Sequence, residues 1–168
     1  MAHSDKNREK EHLPMYGVGP IYVWGIAILT FVAFLCRDMR VLSPGKLTNV
    51  HTFLNTIGSI FILLGIYIWI QAVIISKVDD GIKENCLVTT GIYAWVRNPI
   101  YSAFMILCTG VIFIIGNVFF FVLPIVFWLY MTILMKNTEE KWLKDWYGQE
   151  YEEYCRRVNR CIPWFPGK

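Results

Sequence analysis

Polar and apolar positions in this chain are segregated into long blocks. No Lys, Arg, Asp or Glu occurs from Gly17 to Cys36, from Thr52 to Ser76, or from Asn98 to Met135. The hydrocarbon core of a bilayer takes about 20 predominantly apolar residues per helix. The first block supplies one such span, roughly Val18 to Cys36, and the second supplies another, Phe53 to Ile75. The third is long enough for two and is broken by Gly116 and Asn117. It divides into a span beginning near Pro99 and one over Val118 to Met135, the latter about 27 Å long at 1.5 Å per residue. These two form a tight helical hairpin. Pro124 predicts a kink in the fourth span, with a freed carbonyl for a neighbour to satisfy. Gly58 and Gly65, seven apart in the second, predict close approach of another helix.

Polar stretches fill the gaps. "RDMRVLSPGKLTNVH" joins the first two spans, and a polar loop from Ser76 to Asn85 leads into "CLVTTG". After the fourth span, "NTEEKWLKDWYG" reads as its helical continuation, ended by Gly148 at the C′ position. "QEYEEYCRRVNRCIPWF" then sets Tyr151, Tyr154, Cys155, Val158 and Ile162 at helical spacing, with charge on the other face and Pro163 as the stop. Such an amphipathic helix lies in the membrane interface or caps the bundle. The mixed-charge "HSDKNREKEH" before the first block is followed by no small-residue cleavage pattern, so that block is read as a retained helix. The expected fold class is all-α, a polytopic membrane bundle of about four transmembrane helices. One domain covers residues 1–168, as a polar segment 1–17, two spans and a loop over 18–85, and a motif-bearing region 86–168.

Composition agrees with the pattern. Apolar residues make up 55% of the chain and charged ones 17%, against about 25% charge in a soluble domain. The five cysteines show no C-x-x-C, and those in apolar blocks, Cys36 and Cys108, read as small hydrophobes. His3, His12 and His51 are scattered, so no metal site is assigned. A net charge of +3 gives no reason to expect nucleic acid. Its distribution says more. With four spans, Lys6, Arg8, Lys10, Lys77, Lys83, Arg97 and the seven basic residues of the tail share one membrane face. The other face has only Arg37, Arg40 and Lys46. The positive-inside rule puts both termini in the cytoplasm.

Two groups of residues carry candidate chemistry on that face. In "GIYAWVRNPIYS", Gly91 to Ser102, Asn98 and Pro99 read as an N-cap and first turn, and Arg97 as a snorkelling anchor. The same residues also build an anion site, because a helix N-terminus offers free N–H groups and partial positive charge beside the guanidinium. Glu139 and Glu140 lie about one turn past the fourth span. One reading is a solvated helix end with Glu140 paired to Lys144; the other has both acids face Arg97 and bind a zwitterion. Tyr93, Trp95, Tyr101, Trp142, Trp146 and Tyr147 suit an interfacial belt, or the wall of a site for a flat heterocycle or a sulfonium.

"LVTTGIYAWVRNPIY", the hairpin, and "EEKWLKDWYGQEYEEYCRRVNRCIPWF" together resemble the isoprenylcysteine carboxyl methyltransferase and phospholipid methyltransferase superfamily. The shared pattern is L-x-x-x-G-x-Y-x-x-x-R-[HN]-P-x-Y, then E-E, then [FY]-G-x-x-Y-x-x-Y ahead of a basic residue and I-P. The resemblance implies an integral-membrane methyltransferase that uses S-adenosylmethionine at the cytoplasmic interface, with a lipid-like or prenylated acceptor entering from the bilayer. It implies cofactor contacts at Leu87, Val88, Gly91, Tyr93, Arg97, Asn98, Pro99, Tyr101, Glu139 and Glu140, with Arg97 and Glu140 in the reaction centre. Many members have histidine where Asn98 stands, and a second histidine where this chain reads "KENC".

The residues suit that donor. Arg97 and the helix start match its carboxylate, and the paired acids match its ammonium or ribose hydroxyls. Two acceptors remain open. A prenylcysteine carboxylate is ionised at neutral pH and needs no base. A phosphatidylethanolamine amine needs one, and Glu139 or Glu140 would serve. The "LVTTGIY" and tail patterns favour the carboxyl branch. A small transporter subunit or a scaffold is the non-enzymatic alternative: the apolar blocks hold no ionisable residue, which disfavours transport, and a scaffold has no need of an arginine and paired acids on one face.

Overall fold

Six α-helices carry the described part of the chain, residues 17–76, 86–165 and 167 of a computed structural model. They are α1 (Gly19–Cys36), α2 (His51–Ile70), α3 (Pro99–Ile115), α4 (Leu123–Asn137), α5 (Glu139–Tyr147) and α6 (Gln149–Arg157). The polar N-terminal segment to residue 16, the loop residues 77–85 and Lys168 lie outside the described residues. With them go Lys6, Arg8, Lys10, Lys77 and Lys83. Among the described residues the class is all-α, as the blocks predict.

Three stretches, Gly19–Cys36, Thr48–Ile75 and Val118–Tyr147, are long and apolar enough to cross a bilayer, and Pro99–Ile115 is a shorter apolar helix. Only 28%, 22% and 17% of their most apolar windows is buried inside the protein. Trp24, Phe31, Phe53, Leu63 and Ile133 therefore point outward. Such a belt is a liability in water and is solvated by hydrocarbon in a bilayer. The chain is an integral membrane protein.

α3 is the centre of the bundle. On one side, Met105, Cys108 and Ile112 pack with Tyr22 and Ile26 of α1 and with Phe127, Met131 and Met135 of α4 in one buried core. Against α2, the contact is a seam of small residues. A Cβ on Gly58 would stand 2.6 Å from the Gly110 carbonyl oxygen, and one on Gly110 would stand 2.6 Å from that of Gly58. Gly65 meets the Ala103 carbonyl in the same way, at 2.8 Å. The expected seam at Gly58 and Gly65 is present, and Gly110 completes it.

The hairpin turn is also as expected. Gly116 closes α3 in the left-handed region (φ +64°), a conformation glycine adopts without a Cβ clash. The buried Asn117 follows, accepting from Phe119 N at 3.1 Å and donating to the Leu42 carbonyl at 2.9 Å. Three expectations about helix ends do not hold. Pro124 stands in the first turn of α4 and kinks nothing, because a 3₁₀ turn over Val118–Val122 precedes that helix. The fourth helix does not run through to Gly148: Thr138 breaks it (φ −127°, ψ −91°), with its hydroxyl bonded back to Leu134 O at 2.6 Å. The last helix ends at Arg157 rather than at Pro163, since Val158 is extended and Asn159 bridges to Val96. Tyr151, Tyr154 and Val158 of the predicted stripe are buried and cap the bundle, whereas Ile162 is exposed.

Candidate active site

At one end of the bundle, the segment entering α3 is laced to the C-terminal segment. Gly91 (φ +62°) opens a tight turn over Gly91–Ala94. The carbonyl of buried Tyr93 accepts from the Tyr154 hydroxyl at 2.6 Å. Beyond it, Arg97 N donates to Asn159 O at 2.8 Å, and Trp164 N to Trp95 O at 3.1 Å. Asn98 Nδ2 donates to Arg160 O at 3.1 Å, and Ser102 Oγ to Cys161 O at 2.6 Å. Leu87 joins this packing beside Tyr151 and Tyr154, and Val88 is half-buried next to it. Asn98 occupies the N-cap position without capping: its side chain makes no bond to the first turn of α3, and its amide holds the tail. Buried Pro99 begins that helix.

This lacing drives Arg97 inward. Its side chain is 7% exposed and that of Glu140 is 15% exposed, with Nη2 3.3 Å from Glu140 Oε1. Arg97 Nη1 donates to Cys155 Sγ, and the Tyr151 ring lies 6.0 Å from the guanidinium carbon. Burial pushes the Cys155 thiol upward, and Arg97 only partly opposes this, so the sulfur is a neutral neighbour. Arg97 Nε is buried with no hydrogen-bond partner among the described residues. Arg160 clamps the same carboxylate from the other side, Nε to Oε1 at 2.5 Å and Nη2 to Oε2 at 2.9 Å. Two guanidiniums thus share one carboxylate, leaving an excess positive charge.

Glu139 and Glu140 do not face Arg97 together. Consecutive helical residues diverge by about 100°, and each acid serves a different neighbour. Glu139 Oε1 accepts from the Tyr101 hydroxyl at 2.6 Å and from Val18 N at 2.9 Å, so it caps α1 and ties that helix to α3 and α5. Neither acid is the solvated helix end considered above, and Lys144 pairs with Glu152 at 2.6 Å instead of with Glu140. Arg160, Cys155 and Val18 were not among the predicted site residues. Arg160 follows Arg156 and Arg157 in what reads as a basic tail, and its signal is the basic residue that stands ahead of Ile162 and Pro163 in the shared pattern.

The fold and this cluster define a helical membrane protein with a buried, arginine-rich polar site at one end. The chain belongs to the phospholipid methyltransferase family, whose model matches residues 49–150. Similar curated proteins are named protein-S-isoprenylcysteine O-methyltransferase. The one from Schizosaccharomyces pombe is 38% identical over 85 residues, covering 50% of this chain and 36% of the relative. The one from Saccharomyces cerevisiae is 30% identical over 143 residues, covering 78% of this chain and 56% of the relative. Protein-S-isoprenylcysteine O-methyltransferase B of Arabidopsis thaliana is 28% identical over 146 residues, 82% of this chain and 70% of the relative. The chain thus spans about a third to just over half of the two yeast relatives. No solved structure matches it significantly.

Proposed function

We propose that this chain transfers a methyl group from S-adenosylmethionine to the carboxylate of a prenylated, lipid-like cysteine at the membrane surface. The orphaned Nε of buried Arg97 carries this reading. An unpaired buried donor is unfavourable by about 1–3 kcal/mol, and a carboxylate relieves it with a charge-assisted bond. When bound, the donor supplies an electrophilic methyl group, whose transfer to a carboxylate oxygen forms an O–C bond and breaks a C–S bond, leaves the electron pair on sulfur and moves no proton.

Arg97 is best used on the donor's own carboxylate. That group keeps its charge throughout, whereas an acceptor carboxylate loses its charge on becoming an ester. A cation gripping the acceptor would favour the ground state over the transition state. Glu140 holds Arg97 in position and is itself fixed by Arg160, and its oxygens retain lone pairs for an ammonium. Glu139 and Tyr101 wall the same end. Leu87, Val88, Gly91, Tyr93, Asn98 and Pro99 form the strap behind Arg97.

A prenylcysteine carboxylate, with a pKa of about 3.5, reacts without a base. The names of the relatives support this acceptor. Phospholipid amine methylation, which the family name supports, is the second reading. The excess of Lys and Arg at this end supports a cytoplasmic position for it and for both termini.

The test is methyl transfer by the detergent-purified full chain from tritiated S-adenosylmethionine, with farnesylcysteine and phosphatidylethanolamine as competing acceptors. A methyl ester releases its label as methanol in alkali; an N-methyl group does not. Alkali-labile label on farnesylcysteine is expected. Stable label on the phospholipid would establish the amine reading instead. Failure to label either, together with no binding of S-adenosylhomocysteine, would leave the scaffold alternative.

A further inference from the structure

The opposite end of the bundle holds a second polar site that the methyl-transfer reading does not use. α3 runs from Pro99 beside Arg97 to Ile115 and Gly116, about 26 Å away at 1.5 Å per residue. There, a cavity of about 410 Å³ opens between the end of α1, the start of α2 and the end of α3. Its walls are of two kinds. Phe34, Val111 and Ile114 supply an apolar side, and Phe34 and Ile114 also face outward toward hydrocarbon. Arg37, Lys46 and His51 supply a basic rim.

The rim is framed rather than loose. Leu47 N donates to Gly116 O at 2.8 Å, Lys46 bridges to Asn117, and Asn117 holds the Leu42 carbonyl. The Arg37 guanidinium lies 4.0 Å over the Phe34 ring. One carboxylate serves both cations: Asp38 accepts from Lys46 Nζ at 2.9 Å and from Arg37 Nε at 3.1 Å. The Lys46 hydrogen bond, followed by that of Arg37, holds the Asp38 carboxyl below its usual range, so it stays ionised and the rim keeps one positive charge in excess. A 3₁₀ turn over Thr48–Val50 leads straight into α2, with His51 N donating to Thr48 O, so the rim side chains carry the anion. Asn55, also in the lining, bonds His51 Nδ1 at 3.1 Å through Nδ2, while its Oδ1 is buried without a donor among the described residues. Arg37, Arg40 and Lys46 are the only Lys or Arg on this connection, and two of the three converge on the cavity.

We infer that this cavity binds the phosphate headgroup of an anionic glycerophospholipid. Arg37 and Lys46 hold the phosphodiester, the headgroup hydroxyls supply donors to the polar lining, and an acyl chain follows Phe34, Val111 and Ile114 into the bilayer. The mixed lining decides between sources. A free phosphate would use the rim and leave the apolar wall unoccupied, whereas a lipid uses both.

Native mass spectrometry of the detergent-solubilised full chain, titrated with phosphatidylglycerol or with inorganic phosphate, tests this. Phosphatidylglycerol should bind, and Arg37→Gln or Lys46→Gln should weaken it about tenfold, the loss of one charge-assisted bond. Asp38→Asn should tighten it, a change of opposite sign that no folding defect produces. Inorganic phosphate should compete only at far higher concentration. Equal lipid affinity in all three variants, or equal binding of inorganic phosphate and lipid, would overturn the proposal.

Discussion

Arg160 grips Glu140 at both oxygens, with Nε to Oε1 at 2.5 Å and Nη2 to Oε2 at 2.9 Å, while Arg97 reaches Oε1 at 3.3 Å. The three side chains form one unit, and effects within such a unit are not additive. The planar fork that meets both oxygens has no equivalent in an ammonium. Arg160→Lys should therefore lower kcat/KM about tenfold or more, as expected for a charge-assisted bond worth about 1.5–3 kcal/mol. In a double-mutant cycle on S-adenosylhomocysteine affinity, Glu140→Gln and Arg160→Gln together should lose much less than the sum of the two singles. Additive losses would show that the clamp does not position Arg97.

Glu139 has a different partner set and should respond differently. Both of its hydrogen bonds come from protein donors, Tyr101 and Val18. Glu139→Ala would leave both donors unsatisfied and should lower stability by about 1–3 kcal/mol. Glu139→Gln keeps an acceptor oxygen and should melt closer to the parent. Thermal unfolding in detergent reads the difference, and equal melting of the two variants would remove the capping role.

The seam between α2 and α3 predicts a purely structural failure. Valine at Gly110 would drive a side chain against the Gly58 carbonyl, where even a Cβ stands at 2.6 Å. Overpacking of this kind costs about 1–3 kcal/mol. Gly110→Val should lower the melting temperature and yield, whereas the same change at exposed Gly148, where an added Cβ meets nothing within 4 Å, should be felt through its positive φ alone. A parent-like Gly110→Val protein would mean that the helices can separate without penalty.

Much of this architecture is legible in the chain because hydrocarbon thickness sets a simple rule. Four apolar stretches, the turn at Gly116 and the seam at Gly58 and Gly65 follow from length and from small-residue spacing. That an acid of the 139–140 pair meets Arg97 follows from a hairpin that returns α4 to the start of α3, although only Glu140 of the two does so. What was hidden depends on tertiary bonding. The early end of α6 turns on a backbone bond from Arg97 to Asn159, and the break at Thr138 (φ −127°, ψ −91°) is announced by no residue type around it. Asn98 has the chemistry of a cap, yet the carbonyl of Arg160 claims its amide. The parting of Glu139 from Glu140 is what about 100° between consecutive helical residues requires, and the neighbours each acid meets, Tyr101 and Val18 for one and Arg97 and Arg160 for the other, are set by tertiary packing.

Topology is a separate test. A reporter fused after Lys168 should behave as cytosolic, and a cysteine at exposed Val41, on the connection between α1 and α2, should be labelled from outside. The reverse result would put Arg97 on the face away from a water-soluble donor made in the cytosol.

The most direct test of the central claim is a paired measurement on Arg97→Lys: S-adenosylhomocysteine affinity and methyl-transfer rate on the same purified protein. Lysine keeps the charge and can still reach the interface, so an anchoring role would survive the change. A fork that binds a carboxylate through Nε would not survive it. The account predicts normal expression, donor affinity reduced about tenfold or more, and turnover reduced with it. Parent-like affinity and rate in the variant would contradict it and reduce Arg97 to a membrane anchor beside a helix start.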